Sequence, residues 1–133
     1  MQSLFTATGV TVRTEFERAL PRIHGDDEQL WQAILNIIRN ALEAMPSGGT
    51  LSLETKRDGD SVVVKLSDTG KGMAEQERRQ IFKPFFSTKA DGTGLGLPLT
   101  QQIVNEHGGR IECASILGRG TTFTIHLPQR TEK

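Results

Sequence analysis

The chain is short of the features that would announce an extracellular, membrane-spanning or nucleic-acid-binding protein. It has a single cysteine, Cys113, so no internal disulfide can staple it. That usage suits a reducing compartment, with Cys113 as a small strand hydrophobe. Sixteen Lys and Arg balance sixteen Asp and Glu, leaving no net charge. No broad basic field exists to attract nucleic acid or an anionic membrane, so any anion site must be local. No apolar run approaches the roughly 20 residues of a membrane span, and the N-terminus has no signal-peptide pattern. The three histidines, His24, His107 and His126, are scattered and show no metal-ligand spacing. What is abundant is glycine: 14 residues in a chain of 133, many of them in or beside two loops. The length suits one domain with a real core.

The pattern along the chain alternates strands and helices. Residues 1–9 read as the end of a linker. Val10 to Phe16 alternates as a half-buried strand, with Val10, Val12 and Phe16 on one side. Leu20 to Gly25 reads as a turn with a very short strand. Asp26 is an N-cap, with Gln29 three residues on. Leu30, Ile34, Ile37, Ile38, Ala41 and Met45 then repeat at helical spacing until Pro46-Ser47-Gly48-Gly49 stops the helix. Asn36 and Asn40 stack one turn apart on a second, polar and open face, flanked by the small Ala33 and Ala44. Thr50–Lys56 and Ser61–Ser67 form a hairpin around Asp58-Gly59-Asp60, and the continuous Val62-Val63-Val64 predicts a central strand. Ala74 to Ile81 is a short charged helix. Leu97 to His107 is a second long helix, with Pro98 in its first turn and Leu99, Ile103 and Val104 facing inward. Arg110–Ser115 and Thr121–Leu127 are two more strands around Gly118-Arg119-Gly120, and residues 129–133 are a polar tail. This order predicts an α+β fold, a two-layer sandwich with about three helices on one face of a mixed, mostly antiparallel sheet.

Gly92-Thr93-Gly94-Leu95-Gly96-Leu97 leads into the second long helix. Glycines before a helix N-terminus let the main chain approach a ligand and aim free N–H groups at it, which makes a phosphate cradle. Alone, the stretch reads equally well as a flexible surface loop.

Three further motifs stand in order with it: Asn36-Ile37-Ile38-Arg39-Asn40-Ala41, Asp68-Thr69-Gly70-Lys71-Gly72, and Phe82 with Phe85-Phe86. Together the four resemble the catalytic and ATP-binding domain of bacterial sensor histidine kinases, in the superfamily shared with gyrase, heat-shock chaperones and mismatch-repair ATPases. Asn-Ala-Leu-Glu-Ala-Met and Phe-Lys-Pro-Phe-Phe-Ser-Thr-Lys look most like the nitrogen-regulator branch. The resemblance covers residues 10–128 and implies the Bergerat-type ATP-binding fold, with ATP and Mg²⁺ as cofactors. It makes Asn40 the metal ligand, with Asn36 supporting the site; Mg²⁺ takes one or two protein oxygens besides water and phosphate. It makes Asp68 the acceptor for the exocyclic amine of adenine. Gly70 and Gly72 let the backbone pass the base, and Thr121 and Thr122 touch the adenine pocket through water. The same resemblance makes residues from about 83 to 95 a mobile lid, hinged by the phenylalanines. In it Lys89 reaches the phosphates, and Gly92, Thr93, Gly94, Leu95, Gly96 and Leu97 cradle them.

Two departures bear on the chemistry. Where the gyrase and chaperone branches carry a water-activating glutamate, this chain has Asn36, and an amide is no general base. That favours a kinase over a hydrolase. Where many histidine kinases carry a basic residue three positions after the metal asparagine, this chain has Glu43, leaving Lys89 or Arg39 for the γ-phosphate. The implied partners are a histidine-containing dimerisation domain of the same kinase and a response regulator. Neither nucleic acid nor direct membrane contact is implied, and the isolated domain is expected to be monomeric. The implied location is cytoplasmic, in a parent protein free to be membrane-anchored. The alternatives are an anti-sigma-type serine kinase and a non-catalytic adenine-nucleotide-binding module of the same superfamily.

Overall fold

The structure, a computed structural model, describes residues 9–17, 27–83 and 96–128. Within them the chain runs β1 (Val10–Phe16), α1 (Asp27–Glu43), β2 (Gly49–Asp58), β3 (Ser61–Asp68), α2 (Glu75–Arg78), α3 (Gly96–Glu106), β4 (Arg110–Ile116) and β5 (Gly120–Pro128). The five strands form one sheet in the order β1-β2-β3-β5-β4. β1 pairs parallel with β2, and every other pairing is antiparallel. The α+β sandwich with a mixed, mostly antiparallel sheet is therefore the observed fold.

Register decides which face of each strand is buried, because side chains alternate. Leu53, Leu66, Phe123 and Cys113 stand in one row across the sheet. Val64, Ile125 and Ile111 make the next. These rows pack with Ile37, Ile38, Ala41, Leu42 and Met45 of α1 and Val104 of α3 in one core. The opposite face is polar, as in the row Glu54, Lys65, Thr124, Glu112. One exception explains the unbroken valine run. Val63 falls on the polar face, yet it is buried between its register neighbours Lys56 and His126. β3 is the middle strand, so even its outward positions are flanked on both sides.

Several expectations shift in detail. Leu99 is exposed, whereas Thr100 is wholly buried with Ile103 and Val104. The inward stripe of α3 is thus Thr100-Ile103-Val104-His107, one residue out of phase with an apolar reading of Leu99. Phe16 is exposed at the end of β1, an edge strand with one neighbour. The charged helix is one regular turn, continued by single turn bonds (Gln80 N–H to Glu77 O, Lys83 N–H to Gln80 O), and Ile81 beyond it is buried. None of its four helical residues is buried, and its tie to the sheet is the Arg78 guanidinium, which donates to Cys113 O of β4 (3.4 Å). His107 is buried at the end of α3, its Nδ1 2.8 Å from the Ile103 carbonyl, to which it donates. The short strand and N-cap expected at residues 20–26, the lid core at 84–95, the linker end before Gly9 and the tail all lie outside the described residues. No described helix is long and apolar enough to cross a membrane.

Candidate functional site

Helix α1 is the spine of the site. Its apolar stripe lies on the sheet, and its other face carries Asn36 and Asn40 one turn apart. That second face is not open, as the sequence pattern suggests; it is closed at both ends by other segments. At the N-terminal end α3 crosses it. The Asn36 amide donates from Nδ2 to Gly96 O (3.1 Å) and to Thr100 Oγ1 (3.2 Å). Its Oδ1 accepts from Gln32 Nε2 (3.1 Å). The Thr100 hydroxyl lies 3.0 Å from Gly96 O and 3.4 Å from Ala33 O. Asn36 thus ties α1 to the first turn of α3, and Gly96 stands beside it.

At the C-terminal end the loop after β3 seats on α1. Lys71 N–H donates to Ala44 O (3.1 Å). A Cβ on Gly70 would sit 2.5 Å from the same carbonyl, so only glycine lets the loop lie this close. Thr69 Oγ1 accepts from Thr50 N–H and leans on the Met45 sulfur. Between the two ends, α1 offers Asn40, half-buried and engaged in contacts of its own. From Ala44 to Asn36 is eight residues of helix, about 12 Å, with Asn40 midway. Asp68 and the Asn36–Gly96 junction therefore stand at opposite ends of one elongated site.

Asp68 closes β3 on the core face, in register with Leu51 and Thr121. Its Oδ1 accepts the Gly70 N–H (2.8 Å) and the Thr121 N–H (3.3 Å). Among the described residues Oδ2 takes no hydrogen bond, which leaves an acceptor for a donor from outside. Burial pushes the Asp68 carboxyl above its ordinary range, and the two backbone N–H groups only partly offset this. A carboxylate that is costly to ionise and half-satisfied is suited to accept from a ligand amine.

The remaining candidates divide by position. Thr121 is buried on the same side as Asp68, while Thr122 faces the opposite, polar side, where its hydroxyl meets Ser67 Oγ at 2.9 Å. The structure therefore brings Thr121 to the site and leaves Thr122 behind the sheet, because neighbours in a strand point to opposite faces. Gly72, with φ +67°, turns the loop under the β4–β5 hairpin, where a Cβ would sit 2.1 Å from Ile116 O. Its tight approach is to this chain's own backbone. Gly96 and Leu97 open α3, with Leu97 packed against the core. Phe82 joins the core edge-on to Phe123, ring centres 6.4 Å apart, and so anchors the start of the segment read as a lid. Lys89, Gly92, Thr93, Gly94, Leu95, Phe85 and Phe86 lie outside the described residues. A surface cavity of about 540 Å³ along α3 is lined by Phe82, Pro98, Gln101, Gln102, Asn105 and Glu106; of the candidate residues only Phe82 borders it.

Two chemistries have no support here. Among the described residues no group of three His, Cys, Asp or Glu side chains can hold a metal by itself. A cation at Asn40 would instead depend on oxygens brought by its ligand, which is the donor set Mg²⁺ accepts. Cys113 is half-buried, and burial pushes its thiol to about 12, so it is no nucleophile. Two residues outside the motifs contact this site: Thr100, whose buried hydroxyl accepts from Asn36, and Ser115, whose hydroxyl meets Met73 N–H and Thr121 Oγ1.

Comparison with known proteins agrees with this geometry. The family of histidine kinase-, DNA gyrase B-, and HSP90-like ATPases matches residues 25–131. The sensor histidine kinase ZraS of Salmonella typhimurium is 45% identical over 120 residues, covering 90% of this chain and 26% of that protein. Sporulation kinase C of Bacillus subtilis is 43% identical over 110 residues, 83% of this chain and 26% of that protein. This chain thus spans about a quarter of the curated relatives it matches. Among solved structures, the nucleotide-free catalytic domain of the histidine kinase ThkA superposes with a TM-score of 0.86 at 28% identity, covering 96% of this chain and 84% of that one. Full-length ShkA in complex with AMPPNP gives 0.86 at 30% identity, covering 99% of this chain and 28% of that one.

Proposed function

Because the chain belongs to the family of histidine kinase-, DNA gyrase B-, and HSP90-like ATPases, we propose that it is the ATP-binding catalytic domain of a sensor histidine kinase. It binds Mg-ATP and donates the γ-phosphate to a histidine on a separate dimerisation domain, for relay to an aspartate of a response regulator. The observation that carries this reading is the Asp68 carboxylate. It is fixed through Oδ1 at the end of the central strand, with Oδ2 left to accept a hydrogen bond. The exocyclic amine of adenine donates there; guanine presents a carbonyl and is repelled. About two turns of α1 away, the junction of Asn36 with Gly96 marks the phosphate end, at the N-terminus of α3, whose dipole favours an anion. Asn40 between them would hold Mg²⁺ together with the phosphates, and the chemistry supplied there would be neutralisation of charge on the transferring group.

Asn36 deepens the kinase assignment. Its amide is fully engaged with Gln32, Gly96 and Thr100, and an amide cannot take a proton from water. Its role is to hold the two helices at the phosphate end rather than to activate a nucleophile. ATP bound here is protected from hydrolysis and kept for a protein acceptor. Lys89 and Arg39 are the candidates for the γ-phosphate. The domain is placed in the cytoplasm, where ATP is available.

Calorimetry on the 133-residue chain tests the reading. Mg-ATP binds, and Asn40→Ala abolishes the dependence of affinity on Mg²⁺. Asp68→Asn collapses the preference for ATP over GTP by about 10²-fold, as expected when a buried polar partner is lost. Unchanged metal dependence and nucleotide preference in both variants would refute it. Supplied with a histidine-bearing dimerisation domain in trans, the chain transfers labelled phosphate to that domain and retains none itself.

A further inference from the structure

Asp68 is held by two backbone N–H groups, and one of them, from Thr121, belongs to a different strand and a different stretch of sequence. Something must fix Thr121 against the Asp68 loop. At that point three segments meet: the loop Asp68–Met73, the end of β4 and the start of β5. The side chain at the junction is Ser115, in register with Thr121, which is in turn in register with Asp68.

Ser115 Oγ lies 2.8 Å from Met73 N, 2.9 Å from Thr121 Oγ1 and 3.0 Å from Gly120 O. A hydroxyl has one proton and two acceptor positions. Gly120 O can only accept, and Met73 N–H can only donate. Ser115 therefore donates to Gly120 O and accepts from Met73 N–H, and its remaining lone pair takes the Thr121 hydroxyl proton. One assignment satisfies all three contacts, and it leaves Ser115 saturated. Thr121 is buried, so water cannot replace the bond cheaply. The packing around the knot is equally tight: a Cβ on Gly120 would lie 2.0 Å from Asp68 O.

We propose that Ser115 is the positioning residue for base recognition. By tying Met73, Gly120 and Thr121 to one atom, it sets the Thr121 N–H that holds Asp68 Oδ1, and so aims Oδ2 at the incoming amine. This inference rests on the reading of Asp68 as the adenine acceptor. Ser115 does not touch the base. Its loss leaves the phosphate end of the site, built on α1 and α3, as it was.

The test measures ATP, GTP and magnesium tripolyphosphate affinities of the 133-residue chain for Ser115→Ala, Thr121→Val, the double variant and Asp68→Asn. Ser115→Ala is expected to lower the ATP-to-GTP affinity ratio ~10-fold, with tripolyphosphate affinity unchanged. Thr121→Val, isosteric and lacking only the hydroxyl, does the same in smaller measure. The double variant goes no lower than Ser115→Ala, because both act through one knot. If ATP, GTP and tripolyphosphate all weaken by one factor, Ser115 is merely structural and the inference falls. It also falls if Ser115→Ala keeps the parent ratio while Asp68→Asn lowers it; the reading of Asp68 then stands. An unaltered ratio in Asp68→Asn removes that reading, and the role of Ser115 with it. Should the alanine variant fold poorly, Thr121→Val decides alone: a parent-like ratio in it overturns the proposal.

Discussion

Gly72→Ala and Gly59→Ala make a matched pair that separates backbone strain from steric exclusion. Both glycines lie in the left-handed region at nearly the same angle, φ +67° and +60°. Among the described residues an added Cβ at Gly59 meets nothing within 4 Å, whereas at Gly72 it falls 2.1 Å from Ile116 O and 2.8 Å from Ile116 C. Those are backbone atoms, so no rotamer change relieves the clash. The left-handed angle costs an alanine about 1–2 kcal/mol at either site. At Gly72 the hairpin must also withdraw by about 1 Å to restore a van der Waals distance. That movement breaks Gly118 N–H to Lys71 O (2.6 Å) and Met73 N–H to Ser115 Oγ (2.8 Å), about 1 kcal/mol each. The expected losses are thus about 1–2 kcal/mol for Gly59→Ala and roughly 3–4 kcal/mol for Gly72→Ala. Restricting the unfolded chain affects both variants alike and cancels in the comparison. Denaturant unfolding followed by far-ultraviolet circular dichroism gives the difference directly. Equal losses, within about 0.5 kcal/mol, would refute the claim that Gly72 is required by this chain's own backbone.

Four other outcomes follow from particular contacts. Thr55 Oγ1 is buried without a hydrogen-bond partner among the described residues, so the isosteric Thr55→Val should stabilise the domain by about 1 kcal/mol; a lower melting temperature would contradict this. Thr100→Val removes the hydroxyl behind Asn36 without opening a cavity. It should cost about 1 kcal/mol in unfolding experiments and weaken magnesium tripolyphosphate more than adenosine, since the loss is at the phosphate end. Asp68 has a raised folded-state pKa, so its contribution to stability is fully present below the ordinary value of 3.8 and is lost as pH rises through the folded value. Base recognition runs the other way: the preference for ATP over GTP should decline on acidification through that raised pKa, which binding measured against pH would reveal. Glu75, hydrogen-bonded by Arg78 and then Arg79, is held at about 2 against an ordinary 4.5; its contribution is present above 4.5 and lost as pH falls toward 2, and carboxyl NMR should record that titration.

The large features of this fold are legible in the sequence because they follow from periodicity. The apolar repeat from Leu30 to Met45 makes α1, the Gly59 turn makes a hairpin, and the valine run makes a middle strand. What escapes is phase and partnership. Leu99 and Thr100 differ by one position on a helix, and only the crossing with α1 decides that the hydroxyl goes inside. Thr121 and Thr122 are equivalent as letters, yet pleating sends one to Asp68 and the other behind the sheet. The turn at Gly118-Arg119-Gly120 pairs β4 with β5 and sets Ser115 opposite Thr121, but the role of Ser115 appears only when the loop after β3 brings Met73 to the same hydroxyl.

The glycines carry a broader consequence for how the site is assigned. Gly70 and Gly72 invite a ligand-based explanation, because a missing side chain lets a nucleotide approach. In the structure the space is already taken: Gly70 lies against Ala44 O and Gly72 against Ile116 O. Replacing either one perturbs the loop before it touches any base, so lost nucleotide binding in such a variant is uninformative about contact. The assignment must rest on side chains whose removal leaves the scaffold standing. Asp68→Asn keeps the shape and an oxygen for Gly70 and Thr121 while changing what the other position offers. A change in base preference without a change in stability is therefore the signature that separates a nucleotide contact from a fold requirement, and in this loop Asp68 is the residue able to give it.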